Sequence, residues 1–245
     1  MKHFLSLKFL IQLLGMWLAI STLVLTLVAL LGAPPNTRAV LLMGTALIII
    51  WVAIGGLSMY LVRHTIRRLV INHQFRWQIK FLLFAGGLAL IEEAITTTLT
   101  NLAPWFGVPI GSAYITASTN YMDVVCLHSV VVFIPMFFGW VLLLQRYSFS
   151  PNAVFLLFGL NGVLSETIMA GIQVLTQFAF WIFVYGLMVY LPVYTLPEER
   201  GAVKPRLQHY LLAMVFPILC SLPVALLIQF IHPVPTHFLP ILPGT

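Results

Sequence analysis

Only six acidic residues occur in this chain of 245, and four of them, Glu92, Glu93, Asp123 and Glu166, stand inside or at the edges of long apolar runs. A carboxylate in hydrocarbon costs at least about 2.5 kcal/mol. Such side chains turn toward one another, toward a polar partner or toward a wet cavity. His128, with Asn120 and Asp123 just before it, enters a further apolar run. This set supports several kinds of chemistry. Glu92, Glu93, Glu166 and His128 could serve as catalytic acids and bases of a membrane-embedded hydrolase. Glu92, Glu166 and His128 could hold a divalent metal that activates water. The same acids could relay protons or cations in a coupled transporter. Alternatively they are protonated and hydrogen-bonded across helices to Thr, Ser and Asn, fixing the bundle of a structural or assembly subunit.

Spacing sharpens these readings. Glu93, Thr97 and Thr100 fall on one helical face, with Glu92 and Thr96 on the adjacent stripe. Asn161 and Ser165 stack in a later run, with Glu166 one position round. Asp123 and His128 are five apart, which separates them by about 140° on a continuous helix; they pair only if the helix begins after Asp123. Leu83-Phe84, Leu90 and Glu92 recur as Leu157-Phe158, Leu164 and Glu166 at a constant offset of 74, the pattern of a parallel internal repeat that would put two glutamates on related helices. There is no HExxH, phosphate loop or serine nucleophile motif.

The Glu92-Glu93 pair followed by His128 resembles the first motifs of the glutamate-type intramembrane proteases of the CAAX-processing class. The resemblance implies a membrane hydrolase. It covers a dipeptide and a histidine. That family has an Arg where this chain has Thr97 and a Phe where it has Val124, and its further HxxxN or HxxxD motif has no counterpart here.

The elements that must carry these residues are transmembrane helices. Apolar residues make up 61% of the chain and charged ones 7%, against roughly a quarter charged in an ordinary soluble domain. The sequence predicts an all-helical bundle, a single membrane domain with about seven spans at 9–31, 39–62, 81–99, 124–144, 153–168, 171–194 and 209–231. The first is too long for a signal-peptide core and has no cleavage site after it. Residues 151–194 are almost continuously apolar, and 44 helical residues would reach about 66 Å, so the chain must turn back, with the turn expected near Ser165-Glu166-Thr167. Residues 63–80 read as a solvated basic loop, with a short amphipathic helix on the headgroups as the alternative; 101–121 read as an external loop or re-entrant piece, and the Pro-rich tail from His232 as an extended surface segment. Counting helical rise from Lys80 puts Glu92 about 18 Å deep, and from Pro151 puts Glu166 about 22 Å deep.

Charge orients the bundle. With the N-terminus cytoplasmic and the C-terminus outside, eleven of the twelve basic residues fall on the cytoplasmic side and only Arg38 outside. The formal charge of +6 is then a topology signal, and a nucleic-acid partner is not expected; the lipid bilayer is. Cys126 and Cys220 lie in apolar runs and form no disulfide framework. The absence of any N-x-[ST] sequon and the short connections suit a prokaryotic plasma membrane. Trp17, Trp51, Trp140 and Trp181 read as packing or interfacial anchors. Gly55-Gly56, Gly86-Gly87, Gly159 and Gly162 mark places where helices can approach closely.

Overall fold

A computed structural model describes residues 6–232, so the Pro-rich tail beyond His232 and Lys2 lie outside the described residues. Within them the chain is all-helical, and five helices are long and apolar enough to cross a membrane, or six if one bent pair counts as a single span. Helix α1 (Leu7–Gly32) is followed, after Ala33-Pro34, by α2 (Pro35–Leu47), whose Pro35 sits at the first helical position. A π-helical stretch (Ile48–Gly55) joins α2 to α3 (Gly56–Ile71), making one helix of 37 residues. Arg63, Arg67 and Arg68 are therefore helical: the expected loop shrinks to residues 72–76, because the side chain of Lys80 caps the end of α3, donating to the carbonyls of Val70 (2.6 Å) and His73 (3.1 Å).

Helix α4 (Trp77–Asn101) carries Glu92 and Glu93. It is 25 residues long but is not among the five apolar spans. After an irregular stretch come α5 (Tyr121–Leu127) and α6 (Val130–Arg146), bent by 42° at His128-Ser129. Helix α7 (Pro151–Ala170) starts at an N-cap, Ser150, which accepts from the Ala153 amide at 3.2 Å. The turn falls later than expected. Ser165, Glu166 and Thr167 are still helical, and the chain reverses at Gly171, whose φ of 96° and ψ of 176° suit only glycine. A 3₁₀ turn (Ile172–Gln177) leads into α8 (Phe178–Tyr194), and α9 (Leu207–Ile231) closes the described chain.

Helices α7 and α8 pack closely because glycines of each face backbone or rings of the other. A Cβ at Gly159 would lie 2.6 Å from the Ile182 carbonyl oxygen, and one at Gly186 would lie 2.7 Å from the Phe155 ring. Helix α9 lies against α6 and α7 and carries Pro217 and Pro223 inside it. Pro217 has no N–H for the carbonyl of Ala213. Asn161 of α7 replaces it: fully buried, it donates Nδ2–H bonds to the carbonyls of Ala213 (3.2 Å) and Met214 (2.7 Å), while its Oδ1 accepts from Trp140 Nε1 at 3.1 Å.

Basic residues gather at one end of the bundle. Arg63, Arg67 and Arg68 lie on the last turns of α3, Arg76 and Lys80 at the start of α4, Arg146 at the end of α6, and Arg200, Lys204 and Arg206 between α8 and α9. Arg38 stands at the opposite end, beside Gly107. In this basic half Phe81, Phe137, Trp140, Leu144, Phe158 and Met188 are fully buried and fill the space between helices. The one ion pair among the described residues, Arg67 to Glu198 at 2.7 Å, is solvent-exposed. Arg67→Ala is expected to lower unfolding stability by less than about 1 kcal/mol in a denaturant titration.

Candidate functional site

The half of the bundle away from the basic end is hollow. A cavity of about 600 Å³ opens between α1, α2, α4, α6, α7 and α8, with Ala225 of α9 at its edge. Glu92, Glu93, Glu166 and His128 all line it. Asp123, in the first turn of α5, does not. Two helices and one helix break thus bring these side chains to the same space.

Glu92 and Glu93 are only 4% and 7% exposed. They point inward because α4 is wrapped on several sides: by α2, by α6 and by α8. Thr96, one turn on, holds its hydroxyl 3.2 Å from Glu93 Oε2 and 3.1 Å from the Glu93 carbonyl. The Ser129 hydroxyl also reaches Glu93. Glu166 comes from the last turns of α7 and accepts a hydrogen bond from the Tyr185 hydroxyl of α8. The three carboxyls lie within electrostatic range of one another.

His128 is placed by the break between α5 and α6. Its backbone (φ −129°, ψ −66°) leaves the helix, and the Val124 carbonyl accepts from the His128 and Ser129 amides (3.2 and 3.0 Å) and from the Ser129 hydroxyl (3.2 Å). Irregular backbone at this depth is tolerated where it lines a cavity.

The irregular stretch after α4 covers this end. Ala103, Val108 and Ala113 are buried against Ala39 and Met43 of α2. The Ile115 amide donates to Thr100 Oγ1 at 3.2 Å, and Asn101 Nδ2 donates to the Thr119 carbonyl at 2.9 Å. Residues Tyr114 to Ala117 then form part of the cavity wall. The hydroxyl stripe of α4 is accordingly divided: Thr96 serves the acids, whereas Thr100 fastens the cover.

Several site residues escape a reading of the sequence. Tyr185 sits in a uniformly aromatic run, and its mid-helix hydroxyl is the signal that it needs a polar partner. Gly162 faces it so closely that a Cβ there would be 2.0 Å from the Tyr185 ring. Trp181 stacks on Tyr185 with centroids 5.8 Å apart and lines the same cavity. Among the described residues no group of three or more His, Cys, Asp or Glu side chains is arranged to hold a metal ion.

The fold and site together define a helical membrane protein with an acid-lined cavity in one half of its bundle. No protein-family model matches the sequence, and no curated protein or solved structure matches it either.

Proposed function

We propose that this protein is a seven-span membrane hydrolase whose buried carboxyls activate water against an amphiphilic substrate. The observation that carries the reading is the convergence of Glu92, Glu93, Glu166 and His128 on one ligand-sized cavity. In this reading α4 and the bent α5–α6 pair both cross the membrane. The basic end faces the cytoplasm, the C-terminus lies outside, and the membrane is a prokaryotic plasma membrane.

Confined like charges do not all ionise together, so the three acids supply both a carboxylate and a carboxylic acid. Glu93, oriented by Thr96 and Ser129, takes a proton from water as its oxygen bonds to the substrate carbonyl carbon. The bond from that carbon to the leaving oxygen or nitrogen then breaks as Glu92, the protonated partner, gives its proton to the leaving group, and the proton held by Glu93 passes to Glu92 to restore the starting state. Glu166, held by Tyr185, keeps the site acidic, and His128 supplies a polar wall. A transport path would have to continue toward the basic end, where Phe137, Trp140 and Phe158 fill the bundle.

The test is turnover of a panel of ester and amide amphiphiles by the protein in liposomes. Glu93→Gln is expected to reduce it by about a hundredfold to ten-thousandfold with the melting temperature preserved. Absence of turnover across the panel, or equal turnover by the variant, would sink the hydrolytic reading. Metal content by mass spectrometry, compared between wild type, Glu92→Gln and Glu166→Gln, separates this route from a metal-assisted one through Glu92, Glu166 and His128.

A further inference from the structure

Three carboxyls border the cavity, and the chain itself provides donors for two of them. Glu93 has the hydroxyls of Thr96 and Ser129, and Glu166 has that of Tyr185. Glu92 is 4% exposed and lines the same space, yet no hydrogen bond from any described residue reaches its carboxyl. Nor is it walled off: its oxygens keep surface that a molecule in the cavity can touch. The hydroxyls of α1 and α2 along the cavity are already committed. Ser21 and Thr22 donate to the Leu18 carbonyl at 3.0 and 2.7 Å, and Thr45 donates to the Leu41 carbonyl at 2.8 Å. A buried polar group left without a partner costs free energy, and the cavity is the side from which a partner for Glu92 can come.

Charge selects that partner. No Lys or Arg lines the space. A positive charge entering it meets three acids, and in a medium of low dielectric their attraction is large; an anionic head is repelled for the same reason. The rings of Phe133, Phe180 and Tyr185 border the space as well, and aromatic faces receive cations that alkyl walls would not.

The way in is lateral. Trp17 lies near the middle of α1, lines the cavity and is 54% exposed on the outside of the bundle. Leu25, two turns further along the same helix, also does both, at 43% exposure. Helix centres lie at hydrocarbon depth, so the rim of the cavity meets lipid, and an alkyl chain can lie across it.

We propose that the cavity binds the ammonium head of a single-chain alkylamine, its N–H groups donating to Glu92 and its chain running past Trp17 into the bilayer. An ammonium brings to Glu92 both the donors and the counter-charge that the chain withholds. This binding stands without any chemistry. Within the hydrolytic reading, on which only the following step rests, the leaving group is an amine. An N-alkyl amide and water give a carboxylic acid and an amine whose nitrogen has taken the proton of Glu92. The amine takes a further proton from the product acid, and the ammonium so formed is held by the Glu92 carboxylate until it departs into the bilayer.

The test measures binding apart from turnover. The full chain in zwitterionic nanodiscs at neutral pH is titrated with undecylamine brominated at the chain end, and tryptophan quenching is followed. Saturable quenching is expected, competed by plain undecylamine but not by undecanol or ionised undecanoate, and Trp17→Phe should remove much of it. Glu92→Gln, which keeps the shape of the side chain, should weaken the amine about tenfold to a hundredfold, whereas Glu93→Gln and Glu166→Gln, each removing a carboxyl that already has a donor, should weaken it less than about threefold. The competition series needs no variant, so it decides even where Glu92→Gln fails to fold. Quenching that undecanol or undecanoate competes equally, that never saturates, that keeps its midpoint in Glu92→Gln or that Trp17→Phe leaves undiminished would overturn the proposal. Saturable binding of the amine while no amide is ever cleaved removes the hydrolytic reading and leaves the binding site standing. Cleavage of esters or amides that undecylamine does not inhibit does the reverse.

Discussion

Gly162→Ala is expected to lower stability by about 3 kcal/mol, the upper end of the range for overpacking a well-filled interior, and to cut turnover at least tenfold. The added carbon would lie 2.0 Å from the ring of Tyr185, so the ring must shift, and its open side is the cavity that it lines. The ring is bounded by Phe133 at 5.4 Å, Trp181 at 5.8 Å and Phe158 at 6.4 Å between centroids. Helices α7 and α8 cannot simply part either, since they are also in close contact at Gly159 and Gly186, where a Cβ would meet its nearest neighbour at 2.6 and 2.7 Å. Moving the ring withdraws its hydroxyl from Glu166, which is how a substitution without polar atoms would reach the chemistry. Tyr185→Phe separates the two effects, because it keeps the packing and removes only the hydroxyl, at a cost of about 1 kcal/mol. In the double variant Gly162→Ala, Tyr185→Val the clashing ring is gone, and the cost of the alanine should fall below about 1 kcal/mol. Reversible unfolding in mixed micelles measures these variants beside wild type and Tyr185→Val, the reference for the double variant. A cost that persists in the double variant would mean that backbone contact, and not the ring, makes position 162 a glycine.

Asn161→Leu should be comparably damaging, by about 2 to 4 kcal/mol, for a polar reason. Its amide satisfies the carbonyls of Ala213 and Met214, and its oxygen satisfies Trp140. The leucine strands the Ala213 carbonyl and the Trp140 N–H, whereas the Met214 carbonyl keeps the N–H of Ile218 one turn on. Hydrogen bonds between membrane helices average about 0.6 kcal/mol, but buried groups left unpaired cost about 1 to 3 kcal/mol each. The partner substitution is Pro217→Ala. Combined with Asn161→Leu it restores an N–H for the Ala213 carbonyl. The pair should recover about 1 kcal/mol in the same unfolding assay. No recovery would show that the stranded Trp140 indole, and not the Ala213 carbonyl, dominates the loss.

What could be read from the sequence divides along physical lines. The inward orientation of Glu92, Glu93 and Glu166 is legible because a carboxyl within a long apolar helix has few alternatives. The helical class was legible from composition. Arg63, Arg67 and Arg68 look like a solvated loop by charge alone, whereas Lys80, at the start of the next helix, provides the cap that lets α3 run on. The reversal after α7 was expected at the polar cluster Ser165-Glu166-Thr167, but polarity there serves the cavity, and the turn waits for Gly171, the residue able to adopt its backbone angles. Tyr185 and Trp181 were hidden among aromatic neighbours of similar hydropathy, since periodicity cannot say which ring meets a carboxyl.

The π-helical stretch in the middle of the long second helix separates the two halves of that helix as mechanical parts. On a regular helix each residue advances about 100°, so Met43 and Met59, sixteen positions apart, would point about 160° away from each other. Both are nonetheless buried, with Leu47 and Trp51 between them, and Trp51 donates from the middle of the wide turn to the Val184 carbonyl at 3.0 Å. A uniform helix works like a camshaft: clocking one lobe clocks them all. Here the wide turn acts as a coupling between two shafts. The segment that walls the cavity can keep its angular setting while the segment bearing Arg63 and Arg67 is indexed separately to Tyr194 and Glu198, and the two ends of one continuous helix can be tuned without disturbing each other.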